Sequence, residues 1–258
     1  MPDAGPPLPP APPPRLYRCP RAPAPLTIDA DLAKPAWAAA PWTDDFVDIE
    51  GSPPRPSPRH RTRARLLWDD EHLYVAAALD EPNVWATLTA RDSVVYHDND
   101  IEVFLFPPGG TSDYYELEIN ALGAVWDLHL DRPYRQGGRA DNAFDFAGLR
   151  SAVRVHGPLN DPREAARGWD VELAIPWRSM DRHTPRPAAP DPGDRWRLNF
   201  SRVQWDAEPV PSPGAGPPVF RKLPDRPEHN WVWSPTGVID MHLPDRWGIV
   251  EFLDEPGA

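Results

Sequence analysis

Thirty-eight prolines in 258 residues constrain this chain more than any other feature. Proline has no N–H to donate, and its ring collides with the preceding helical turn. Long helices are therefore excluded, and with them helical bundles and coiled coils. The prolines are clustered: eleven fall in residues 1–25, and others crowd 51–60, 185–193 and 206–228. They mark a tail and loops between segments that can order. Apolar residues are only 40% of the chain, but 12 of them are Trp, each able to bury a large area.

Between the clusters the apolar period is two. RARLLWDDEHLYVAAAL, residues 63–79, breaks at Asp69-Asp70-Glu71 and reads as strand, turn, strand. DIEVFLF (100–106), YYELEIN (114–120), AVWDLHL (124–130), WDVELAI (169–175), WRLNFSRVQW (196–205) and WGIVEF (247–252) read as further strands. Residues 149–156 form a weaker one. The pattern predicts nine or ten short strands in an all-β, antiparallel β-sandwich. One domain over 26–258 follows a disordered proline-rich tail over 1–25. Trp37 anchors a short turn over 26–42. Trp68, Trp126, Trp169, Trp177 and Trp196 fall in strand registers that predict core packing.

A net charge of −12 argues against nucleic acid, whose phosphates need a basic surface. No apolar run approaches the roughly 18 residues of a membrane-spanning helix. Cys19 stands alone, so neither an intrachain disulfide nor a cysteine metal cluster is expected. The N-terminus lacks the charged and apolar regions of a secretory signal, so the chain as written reads as cytoplasmic, and as secreted if its start lies upstream. The tail could serve a proline-recognising protein partner. No H-E-x-x-H, G-x-S-x-G or phosphate-loop spacing occurs.

Several segments together resemble the family 9 carbohydrate-binding modules and the wider family-9-like proteins related to the DOMON fold. They are Ile28-Asp29…Trp37, LLWDDEHLYVAA (66–77), DNDIEVFLFP (98–107), YYELEINALG (114–123), GWDVELAIPW (168–177), PGDRWRLNFSRV (192–203), WSP (233–235) and HLPDRWGIVEF (242–252). The resemblance implies a jelly-roll-like sandwich and non-catalytic binding of a saccharide, as part of carbohydrate catabolism. In sugar-binding members two aromatic rings clamp a terminal sugar. One aromatic position corresponds to Tyr96; the other corresponds to Met241, a departure, for which Trp205, Trp231 or Trp233 could substitute. Glu102 and Asn120 match polar family positions. Glu118 stands where sugar-binding members carry Arg. Asn199 and Arg202 could join them.

The resemblance also implies structural calcium. Asp98 and Asp100, with Asp92 nearby, offer the oxygens such an ion takes. Two alternatives stay open. A glycosidase would use a carboxylate pair such as Glu118 and Asp127, with Glu116 on the same face as Glu118. A haem-binding redox module would use Met241 and His242 as ligands.

Overall fold

The computed structural model describes residues 8–51, 53, 55–108, 112–180, 189–212, 214 and 216–255. Its strands are β1 (Leu16–Cys19), β2 (Val47–Asp48), β3 (Thr62–Trp68), β4 (His72–Asp80), β5 (Asp100–Phe106), β6 (Tyr114–Asn120), β7 (Val125–Leu130) and β8 (Ala140–Asp141). They continue as β9 (Arg150–Val155), β10 (Gly168–Pro176), β11 (Arg195–Gln204), β12 (Ala207–Val210), β13 (Val219–Lys222), β14 (His229–Val232) and β15 (Gly248–Phe252). The helical pieces among the described residues are single 3-10 turns, as the proline density requires.

The larger sheet runs β1-β15-β11-β5-β6-β7-β8, with β14 joining β11 to β2. The smaller runs β3-β4-β10-β9. All pairings are antiparallel except β1 with β15. Period-two alternation makes the sandwich. Ile101, Val103 and Leu105 of β5 and Tyr115, Leu117 and Ile119 of β6 share one core with Leu66, Val75, Val171 and Leu173 of the smaller sheet. Trp68, Trp169, Trp177 and Trp196 are buried in the same core, as expected.

The outer face of the smaller sheet is covered by residues 26–40, where Trp37 is fully buried. One carboxylate ties this cover down. Glu172, itself fully buried on β10, accepts the N–H groups of Asp29 and Ala30, the Trp37 indole N–H and the Lys34 ammonium, all at 2.8–2.9 Å. The outer face of the larger sheet is the one left free for a cavity.

Two expectations are corrected. The predicted tail is not disordered over its C-terminal part: β1 hydrogen-bonds in parallel to β15 and buries Tyr17 and Cys19. Its LYRC alternation places those two side chains inward, and their burial offsets the ordering entropy. Residues 1–7 lie outside the described residues. The loop over 206–228 contains a ribbon of β12 and β13, with Pro209 facing Phe220 in a two-stranded pairing where its missing N–H is tolerated. Part of the 185–193 loop, residues 185–188, also lies outside them.

Candidate functional site

The site is built on the outer face of β5, β6 and β7. Residues facing core and cavity alternate, so Asp100, Glu102 and Phe104 of β5 share a side with Glu116, Glu118 and Asn120 of β6. Glu102 stands directly opposite Glu118, and Glu118 directly opposite Trp126. A cavity of about 640 Å³ opens over this face. Its floor is Glu102, Phe104, Glu116, Glu118, Trp126 and Leu128; its sides come from Tyr96, Tyr134, Glu228 and the segment Ile239–His242.

Aromatic rings stand along it. Glu118 Oε2 accepts the Tyr96 N–H at 2.8 Å and so holds the Tyr96 turn. The Tyr96 ring stacks on Trp126, with centroids 6.2 Å apart and planes 28° apart. Farther along β6, the Tyr114 hydroxyl bonds His242 Nδ1 at 2.9 Å, and the Tyr134 ring meets His242 edge-on at 4.5 Å. Glu118 and Tyr114 stand four positions apart on β6, roughly 13 Å of strand. Tyr96 and Tyr134 are 38% and 46% exposed, so their faces are open to a ligand.

The floor is strongly acidic. Asp100, Glu102 and Glu118 bring carboxylate oxygens within 4.8 Å of one another, and all three are buried. Burial raises the Glu102 carboxyl to about 7, with Glu228 adding to the effect. Burial, then repulsion among the neighbouring carboxylates, pushes Asp100, Glu116 and Glu118 well above the usual range. Burial alone holds His242 down at about 4, so its imidazole is neutral at pH 7. Tyr134 is raised to about 12 by burial and by Glu116, Glu118 and Tyr96.

Of the residues singled out from the sequence, Tyr96, Glu102 and Glu118 meet in the cavity. Trp205 lies outside its lining but supports it, donating its indole N–H to the Tyr96 carbonyl at 2.8 Å. The other four are used inside the fold. Asn120 closes the β6–β7 turn by accepting the N–H groups of Leu122 and Ala124. Asn199 clamps Ser234 through both of its amide atoms. Trp233 is buried against Phe200 and Tyr17. Arg202 is fully buried and paired with Glu81 at 2.5 Å, with Gln204 and Thr62 as further partners. The parity of β11 carries that signal: Arg202 falls in step with Trp196, Leu198 and Phe200, which face the core. Trp231, a further candidate for the second aromatic, is buried in the core as well.

The expected Asp98–Asp100 calcium pair is not formed. Asp98 is consumed by the N–H groups of Thr87 and Leu88, the Thr87 hydroxyl and the Asn120 amide. Asp100 joins Glu102 and Glu118 instead. Asp92 approaches Asp127 and Asp145, and the Arg91 guanidinium pairs with all three. The Glu118–Asp127 pair is likewise excluded by register. Asp127 faces Leu117 across the strands, one residue out of step with Glu118, and accepts the Phe146 N–H. Met241 packs in an apolar cluster with Phe104 and Trp247, and His242 is engaged by Tyr114, so both act as wall residues.

Trp126 corrects a core assignment: it is only partly buried and lines the cavity. Tyr134 was not indicated by the sequence at all. It lies in a short 3-10 turn, Tyr134–Gln136, after β7, and only folding brings it to the cavity.

A two-sheet β-sandwich with an aromatic-walled cavity on one outer face defines a binding module of the jelly-roll type. The chain belongs to the carbohydrate family 9 binding domain-like family, whose pattern matches residues 28–191. Among solved structures, it is similar to a candidate carbohydrate-binding protein from Bacteroides uniformis, at 16% identity and a TM-score of 0.68, covering 93% of this chain and 99% of that one. It is also similar to a family 9 carbohydrate-binding module from Caldicellulosiruptor kristjanssonii. The complex of that module with cellotriose aligns at 15% identity and a TM-score of 0.55, covering 93% of this chain and 94% of that one. Its glucose complex aligns at 16% and 0.56, covering 93% and 96%. These likenesses concern the fold. A segment of 117 residues, 45% of the chain, is 26% identical to the exoglucanase XynX of Acetivibrio thermocellus and spans 9% of that protein.

Proposed function

We propose that this chain is a non-catalytic carbohydrate-binding module that holds a saccharide in the cavity over β5, β6 and β7. The observation that carries the reading is the Tyr96–Trp126 stack and the Tyr134 ring lining one cavity over a floor of carboxyl groups, in a domain of this family. A pyranose has C–H-rich faces that pack on aromatic rings and hydroxyls that donate to carboxylates. Tyr134 then takes the second aromatic role that Met241 cannot fill. The glucose and cellotriose complexes of the Caldicellulosiruptor module support the ligand class.

Titration with mono- and oligosaccharides, followed by tryptophan fluorescence, tests this. A saturable change is expected, because Trp126 lines the cavity. Tyr96→Ala should weaken binding by roughly 1–3 kcal/mol, by analogy with stacking of planar ligands on aromatic side chains. Unchanged affinity in that variant would remove Tyr96 from the site.

A further inference from the structure

We infer that the cavity selects a saccharide bearing a positively charged amino group over its neutral counterpart. The inference rests on the saccharide reading above and specifies its ligand. Glu102, Glu116 and Glu118 lie on the cavity floor, with Asp100 buried beside them and Glu228 and Asp240 at its sides. No Lys or Arg lines it among the described residues. The charges bearing on the floor groups are those of one another, of Asp98 and of Glu228, while the nearby cations act on the side walls, Lys222 on Glu228 and Arg135 and Arg246 on Asp240. Arg202 is spent on Glu81, and the Lys222 ammonium sits 3.6 Å from the centre of the Trp205 ring, which is not part of the lining.

A buried acidic cluster commonly meets an arginine or a network of donors. Here Glu116, only 4% exposed, carries an oxygen, Oε2, with no hydrogen-bond partner among the described residues, and it lines the cavity. A buried polar atom without a partner is costly, and a ligand donor would remove the cost.

A neutral sugar supplies hydroxyl donors but leaves the floor carboxyls crowded together and holding the protons that burial and their neighbours impose on them. An ammonium group supplies three donors and a positive charge at one atom. The walls suit the same ligand, since the faces of Tyr96, Trp126 and Tyr134 attract a cation as well as a sugar C–H face. A bare divalent ion would use the carboxylates but offers the rings no C–H face to pack on them, whereas an amino sugar offers both a charge and such a face.

The test is calorimetry of the full chain at about pH 7, where such an amine is largely protonated, with glucosamine, glucose and N-acetylglucosamine, in EDTA and then in calcium. Glucosamine is expected to bind more tightly than glucose by on the order of tenfold. Acetylation, which removes the charge, should abolish that margin. Glu116→Gln should narrow the margin while circular dichroism shows the fold intact. Glucose binding as tightly as glucosamine overturns the inference and leaves the saccharide reading standing. Glucose binding that appears only with calcium, with no preference for glucosamine, also overturns it and assigns the floor to a metal ion. No binding of any of the three, with or without calcium, overturns both readings.

Discussion

Glu118→Gln should stabilise the protein at alkaline pH, although it alters a buried residue. Glu102 and Glu118 are directly opposed on neighbouring strands, where like charges are destabilising. Their oxygens lie within 4.8 Å. Two full charges at that distance repel by about 3.5 kcal/mol at an effective dielectric of about 20. The folded protein avoids part of this by retaining protons: burial first, and then the charges of Asp100, Glu102 and Glu116, raise Glu118, while burial and Glu228 raise Glu102. A group raised in the folded state contributes stability that is fully present below its unfolded pKa and lost as pH rises through the folded one. Glutamine removes one charge and keeps an acceptor for the Tyr96 N–H. The expected gain is roughly 1–3 kcal/mol at about pH 8, or about 2–10 °C in Tm, shrinking to nothing near pH 4. Urea unfolding of both proteins at the two pH values measures it. No gain at the higher pH, or an equal gain at both, would refute the argument that the floor carboxylates repel one another.

The wild type itself should lose stability between about pH 4.5 and the value near 7 to which Glu102 is raised, by about 3 kcal/mol for that group; a flat profile across this window would contradict the assignment. Tyr134→Ala should weaken saccharide binding by roughly 1–3 kcal/mol with little change in Tm, since Tyr134 is 46% exposed; isothermal titration and a melt on the same sample distinguish the two effects. Arg202→Ala should do the reverse, costing roughly 3–5 kcal/mol of stability by leaving Glu81 buried and unpaired, with ligand affinity of the folded fraction unchanged. Glu172→Ala should cost a similar amount and expose the cover over the smaller sheet, read as accelerated hydrogen exchange at Asp29 and Ala30.

Much of the fold is legible because alternation is a local property. Asp100–Phe106 and Tyr114–Asn120 coincide with segments chosen for their period of two, and the turn at Asp69-Asp70-Glu71 separates β3 from β4 as the acidic run suggests. The same rule tells that Glu116 and Glu118 share a face. It also places Arg202 with Trp196, Leu198 and Phe200, a signal that argued against its use as a ligand contact.

What the chain alone determined is which side chains travel together: the strands, their two faces, and the proline-rich breaks that forbid helices. Which face becomes core and which becomes cavity was decided by the tertiary structure, because that choice depends on what packs above each sheet. Only cross-strand register sets Glu102 against Glu118 and turns Asp127 away from them. Only the packing of remote segments makes Asn120 and Asn199 internal clamps, draws Leu16–Cys19 into pairing with Gly248–Phe252, and carries Tyr134 to the cavity. These are contacts between residues far apart along the chain, and no short-range periodicity records them.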